Sequence, residues 1–69
     1  MNWTWTHNYR GTAYCQCHFV DDILTTDRGT YLLDDAGSFV HIDGPDRVSD
    51  AQLDAIAIYV AQLRAMVPA

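Results

Sequence analysis

A chain of 69 residues forms one domain that, at this size, buries only about 60% of the surface its unfolded form exposes, so a compact core or a partner must stabilise it. With 49% hydrophobic residues and no low-complexity tract, it is expected to fold. Its charge comes from nine Asp and four Arg, with no Glu or Lys, for a net charge of -5; four scattered cations (Arg10, Arg28, Arg47 and Arg64) cannot build a phosphate-tracking surface, which excludes direct nucleic-acid binding as the expected role.

The N-terminal run Met1-Asn2-Trp3-Thr4-Trp5 lacks the basic start and apolar core of a signal peptide, and no apolar stretch approaches a membrane span. The expectation is a cytoplasmic protein without membrane contact. Trp3, Trp5, His7 and Tyr9 alternate with polar residues, as do Ala13, Cys15, Cys17 and Phe19, and this period of two predicts strands with one buried face. Between these runs, Tyr9-Arg10-Gly11 reads as a three-residue hairpin loop, a type I turn whose third residue takes positive φ. That loop sets Asn8 opposite Thr12, His7 opposite Ala13 and Trp5 opposite Cys15, with both apolar rows on one face.

The same loop pattern recurs at Asp27-Arg28-Gly29 and Asp35-Ala36-Gly37. Three loops predict four antiparallel strands in a meander, over about residues 2–8, 12–26, 30–34 and 38–43. The second loop sets Leu24 opposite Leu32; the third sets Phe39 opposite Leu33, Val40 opposite Leu32 and His41 opposite Tyr31. The long second strand is expected to bulge at Asp21-Asp22, because paired aspartates are poor strand residues. A bulge continues the core row from Phe19 into Leu24, and it leaves Tyr31, Leu33, Phe39 and His41 as an exposed apolar strip.

After the breaker Asp43-Gly44-Pro45-Asp46 the period lengthens toward four. Ser49-Asp50-Ala51-Gln52 reads as a capping box opening a helix over about 50–66 that stops before Pro68. Leu53, Ile56, Ala57, Val60, Leu63 and Val67 form its core stripe, while Ile58, Tyr59 and Met66 lie outside it. The fold expected is therefore α+β, a four-stranded antiparallel meander with one C-terminal helix packed across a face.

Two residue sets could carry chemistry. His7, Cys15 and Cys17 share a face, as zinc ligands must, but Cys-x-Cys in a strand is not a metal knuckle and a second pair is missing, so the set is read as packing, with no metal or cofactor. A thiol near His7 also lacks an orienting group and a substrate pocket, so no catalysis is expected. Asp21, Asp22, Asp34 and Asp35 gather at one sheet end, as turn residues or as an acidic patch matched to a basic surface.

The expected function follows by exclusion. It is a small acidic, non-enzymatic protein-binding module that meets a larger host protein or complex through Asp21, Asp22, Asp34, Asp35, Tyr31, Leu33, Phe39, His41 and Tyr59. By analogy of size and charge, inhibitors of this kind occur in phages and mobile elements and target host proteins or nucleic-acid-targeting defence complexes. The alternatives are a homo-oligomeric structural subunit, including a homodimer, and a small zinc-binding module using His7, Cys15 and Cys17.

Overall fold

The computed structural model describes residues 2–66, so Val67 and Pro68, expected to close the helix stripe, lie outside the described residues. The chain is α+β: one antiparallel sheet in sequential order, followed by one C-terminal helix. The sheet holds five strands where the sequence predicted four. These are β1 (Asn2–Tyr9), β2 (Thr12–Val20), β3 (Ile23–Thr26), β4 (Gly29–Leu33) and β5 (Phe39–Asp43), and the helix α1 spans Asp50–Ala65.

The extra strand arises at Asp21-Asp22. Both residues adopt left-handed backbone, at φ 52° and 64°, and Val20 pairs directly with Ile23, so the pair forms a tight two-residue hairpin turn and not a bulge. Aspartate tolerates this conformation better than most side chains, and consecutive positive φ angles match the twist of flanking strands. Phe19 therefore faces Leu24, and the core row does cross into the second half of the sheet.

Register departs from expectation at two of the three glycine loops. At the first, Tyr9 pairs with Thr12 across a two-residue turn, Arg10 and Gly11 both having positive φ. The register then slips again between His7 and Asn8, where Tyr14 is left as an extra residue. These two single-residue offsets sum to two, which restores the face: His7 lies opposite Cys15, Trp5 opposite Cys17 and Trp3 opposite Phe19. At the second loop Thr26 pairs with Gly29, setting Leu24 opposite Tyr31. This one-residue shift is not compensated, and a one-residue shift turns every side chain over.

Tyr31, Leu33, Phe39 and His41 consequently face the helix, while Leu32, Val40 and Ile42 face outward. Tyr31 is 0% exposed and Phe39 8%, so the expected exposed strip is core. The third loop keeps its expected register, held by Asp34, whose N–H donates to Ser38 O and whose Oδ1 accepts from the N–H groups of Ala36 and Ser38.

Leu53, Ile56 and Val60 of α1 close the core over Cys15, Cys17, Phe19, Leu24, Tyr31 and Phe39, with Val48 sealing the approach to the helix. Phe19 meets the Phe39 ring edge-on at 5.9 Å and lies beside Trp3 at 6.1 Å. The capping box does not form. Ser49 makes no side-chain cap bond, and Gln52 turns its Oε1 to His7 Nε2 at 2.7 Å. The bulged Tyr14 supports the helix start instead, its hydroxyl accepting from the Ser49 N–H at 3.2 Å.

Tyr31 joins sheet to helix. Its hydroxyl donates to Arg28 O at 2.6 Å and accepts from the buried Val48 N–H at 2.7 Å. Beside it, Gly29 sits at φ 105°, where a Cβ would fall 2.7 Å from Asp46 O and 3.0 Å from His41 Nε2. Gly37, at φ 83°, has open space around it.

Two stability measurements follow. Gly37→Ala carries only the left-handed backbone cost, about 1–2 kcal/mol in urea unfolding, whereas Gly29→Ala adds a backbone clash and costs about 3 kcal/mol or more. Tyr31→Phe strands the Val48 N–H and costs about 1–3 kcal/mol; equal effects of the two glycine variants, or a neutral Tyr31→Phe, would contradict this account of the junction.

Candidate functional site

The outward face of the sheet carries a row of apolar side chains, half-buried at Val20 and Ile23, that no element among the described residues covers. Val20 pairs with Ile23, Ile23 with Leu32 and Leu32 with Val40, so one line of the ladder crosses four strands with an aliphatic residue at every step. Ile42 lies exposed beside it in β5, unpaired where the β4–β5 register shifts between Thr30 and Tyr31. Leu32, Val40 and Ile42 are 41%, 48% and 51% exposed. β-Branched and aliphatic residues gain little by facing water, and a contiguous set of them on a solvated face marks an interface.

The line ends against acid. Asp21 and Asp22 form the turn that joins its first two members, and Asp22, Asp34 and Asp35 line a recess of ≈ 290 Å³ with Leu33, Gly37 and Arg64 at the same end of the sheet. Three of the four expected acidic residues thus share one hollow, with Asp21 adjacent in sequence. Their local duties differ. Asp34 Oδ1 is occupied by the turn's N–H groups, and Asp22 approaches Arg64 at 3.5 Å, an exposed pair of small energetic worth. Asp21 and Asp35 are exposed.

Of the apolar residues expected to meet a partner, Tyr31 and Phe39 are in the core, and Leu33 and His41 are half-buried on the helix-facing side. His41 stacks at a tilt on Tyr31, ring centroids 5.2 Å apart. Tyr59 is 39% exposed and leans on Trp5 at 5.1 Å, at the opposite edge of the sheet. The outward row of Val20, Ile23, Leu32, Val40 and Ile42 was not singled out by sequence reasoning; reading Asp21-Asp22 as a two-residue turn and Gly29 as a paired residue would have found it.

His7, Cys15 and Cys17 do lie together on the core face. The thiols approach at 3.6 Å and are free, and His7 Nε2 is held by Gln52. No group of three His, Cys or Asp side chains among the described residues is placed to hold a metal ion. Burial pushes both thiols above their ordinary value; the Cys15 thiol and the Asp27 charge raise Cys17 further, while the Cys17 hydrogen bond offsets part of the rise at Cys15. A thiol held protonated is a weak nucleophile and a weak ligand.

Recesses beside the helix are small, at ≈ 300 Å³ around Leu33, Ala57 and Ala61 and ≈ 280 Å³ around Trp5, His7 and Tyr59. That is the bottom of the range for small-molecule sites. No helix among the described residues is long and apolar enough to cross a membrane.

The buried thiols give a pH prediction. Cys15, Cys17 and Tyr31 all have pKa values raised in the folded state, Tyr31 chiefly through burial. Their contribution to stability is fully present below the ordinary thiol value of 9.0 and is lost as pH rises above it, because the unfolded chain then releases protons that the folded chain keeps. Unfolding free energy from urea titrations should be flat near neutrality and fall above that value. At pH 8 both thiols should resist an aromatic disulfide reagent until denaturant is added; rapid labelling of the native protein would contradict their burial.

No family model, no curated protein and no solved structure matches this chain.

Proposed function

We propose that the protein is a small acidic protein-binding module that docks the outward face of its sheet onto a larger partner. The observation that carries this reading is the uncovered aliphatic line from Val20 to Val40, ending at the Asp21, Asp22, Asp34 and Asp35 turns. Burying Leu32, Val40 and Ile42 against a partner removes apolar surface from water, at roughly 25 cal/mol per Å². The acidic end adds orientation. It favours a partner whose apolar ridge is flanked by Arg or Lys, and complementary fields raise the association rate more than the final affinity.

Non-enzymatic action is part of the proposal. Its support is the protonated state of the two thiols, the engagement of His7 by Gln52 and the small size of the recesses. Binding by occupation of a surface requires none of these groups to react.

The test uses immobilised protein and extract from its native cells. Leu32→Ser with Val40→Ser should leave the circular dichroism spectrum and melting temperature nearly unchanged, since both side chains are about half exposed, and should abolish recovery of a protein captured by the wild type. Asp21→Asn with Asp35→Asn should slow association with that protein and flatten its dependence on salt. Equal recovery by the wild type and the Leu32/Val40 variant would overturn the outward face as the docking surface.

A further inference from the structure

We propose that the β1 edge of the sheet is a self-association surface, on which a second copy of this chain pairs its own β1 antiparallel to form a continuous ten-stranded sheet. This inference uses a different surface from the docking face above and stands independently of it.

The two edges of the sheet are treated differently. β5 has five residues, ends at Asp43 and runs into Gly44-Pro45, so its edge is short, charged and abruptly stopped. β1 has eight residues with no proline and no charged side chain. Alternate residues of an edge strand point N–H and C=O groups away from the sheet, and proteins that remain monomeric blunt such an edge with charge, proline, bulges or brevity. The irregularity near Asn8 affects only one end of β1. Over Asn2–His7 the ladder is regular and its far side is open.

Charge identifies the occupant. Residues 1–20 contain no carboxylate and one cation, Arg10, whereas all nine Asp lie beyond them. In a protein of net charge -5, the β1–β2 half of the sheet is where a second acidic copy approaches with the least repulsion. A twofold arrangement of identical strands is also self-complementary, as a closed dimer requires.

Polar matching selects the register. Residues opposite one another share a face, so keeping the Trp row of one copy against that of the other requires Trp5 to meet Trp3, Trp5 or His7 of the second copy. The indole N–H of Trp5 is buried and has no acceptor among the described residues. His7 donates its Nε2–H to Gln52 Oε1, which leaves Nδ1 as an acceptor. Centring the twofold axis on Thr6 sets Trp5 opposite His7 of the second copy, twice by symmetry, so the residue with the orphan donor lies across from the residue with the free acceptor, while the irregular end at Asn8 falls opposite Thr4. It also joins the two clefts formed by Trp5, Thr6, His7, Asn8, Ala55 and Tyr59, each ≈ 280 Å³, across the axis.

The test is the mass of the full chain by sedimentation from micromolar to millimolar concentration. A dimer should appear, and Thr6→Lys, which sets two like charges face to face, should raise its dissociation constant by up to about fivefold. Leu32→Ser with Val40→Ser should leave the dimer intact. Thr6→Cys should give a disulfide-linked dimer under mild oxidation, since its opposed Cβ atoms, about 4.5–5.5 Å apart, lie close to bridging distance, while Thr25→Cys should not. A monomer at every concentration overturns the proposal, as does a dimer lost in the Leu32/Val40 variant and kept in folded Thr6→Lys. If Thr6→Lys fails to fold, absence of cross-linking in Thr6→Cys overturns it.

Discussion

The hydroxyl of Tyr31 holds the two layers of this protein together. A helix joined to a meander by six residues can pack anywhere along the sheet unless its entry is tied down, and here the tie is a buried oxygen that gives one hydrogen bond to Arg28 and takes one from Val48. The distances of 2.6 and 2.7 Å are those of well-formed bonds within a dry core. Around it, Gly29 and Gly44 let two backbone segments close to within van der Waals contact, with no room for a side chain on either. Once Val48 is seated, Leu53, Ile56 and Val60 fall over the aromatic row without further constraint.

That same junction explains what was and was not legible in the sequence. Alternation in the first two strands located Trp3, Trp5, Cys15, Cys17 and Phe19 on one face, and this survives a wrong loop length because two offsets of one residue restore the parity. The third loop, with Asp34 folding its carboxylate back onto the turn, was read in its true register. The second was not. Gly29 supplies the expected positive φ but remains inside the ladder, and this single residue exchanges Leu32, Val40 and Ile42 for Tyr31, Leu33, Phe39 and His41. A period-two pattern cannot reveal such an exchange when both faces are apolar. Gln52 illustrates another limit. A local capping bond competes with a partner 45 residues away, and only the folded chain brings His7 close enough to win.

The surfaces that result divide the molecule by chemistry. The first half of the sheet is uncharged and aromatic beneath, with an open backbone edge. The second half is aliphatic above and acidic at its end. Such a division gives one short chain two separate surfaces of different character, one an open backbone edge and the other apolar with an acidic end. The thiols of Cys15 and Cys17 lie buried beneath the first half, and burial raises the pKa of both.

Strand order has a consequence for how the chain acquires this structure. Every strand pairs with its sequence neighbour, so each hairpin closes a short loop and can form in about 1–10 μs once both arms exist. The two tryptophans of β1 differ in this respect, since Trp3 is met by Phe19 of the neighbouring strand and Trp5 by Tyr59, contributed by the last element of the fold. On the ribosome Trp5 therefore waits, with its ring wet, until the helix emerges.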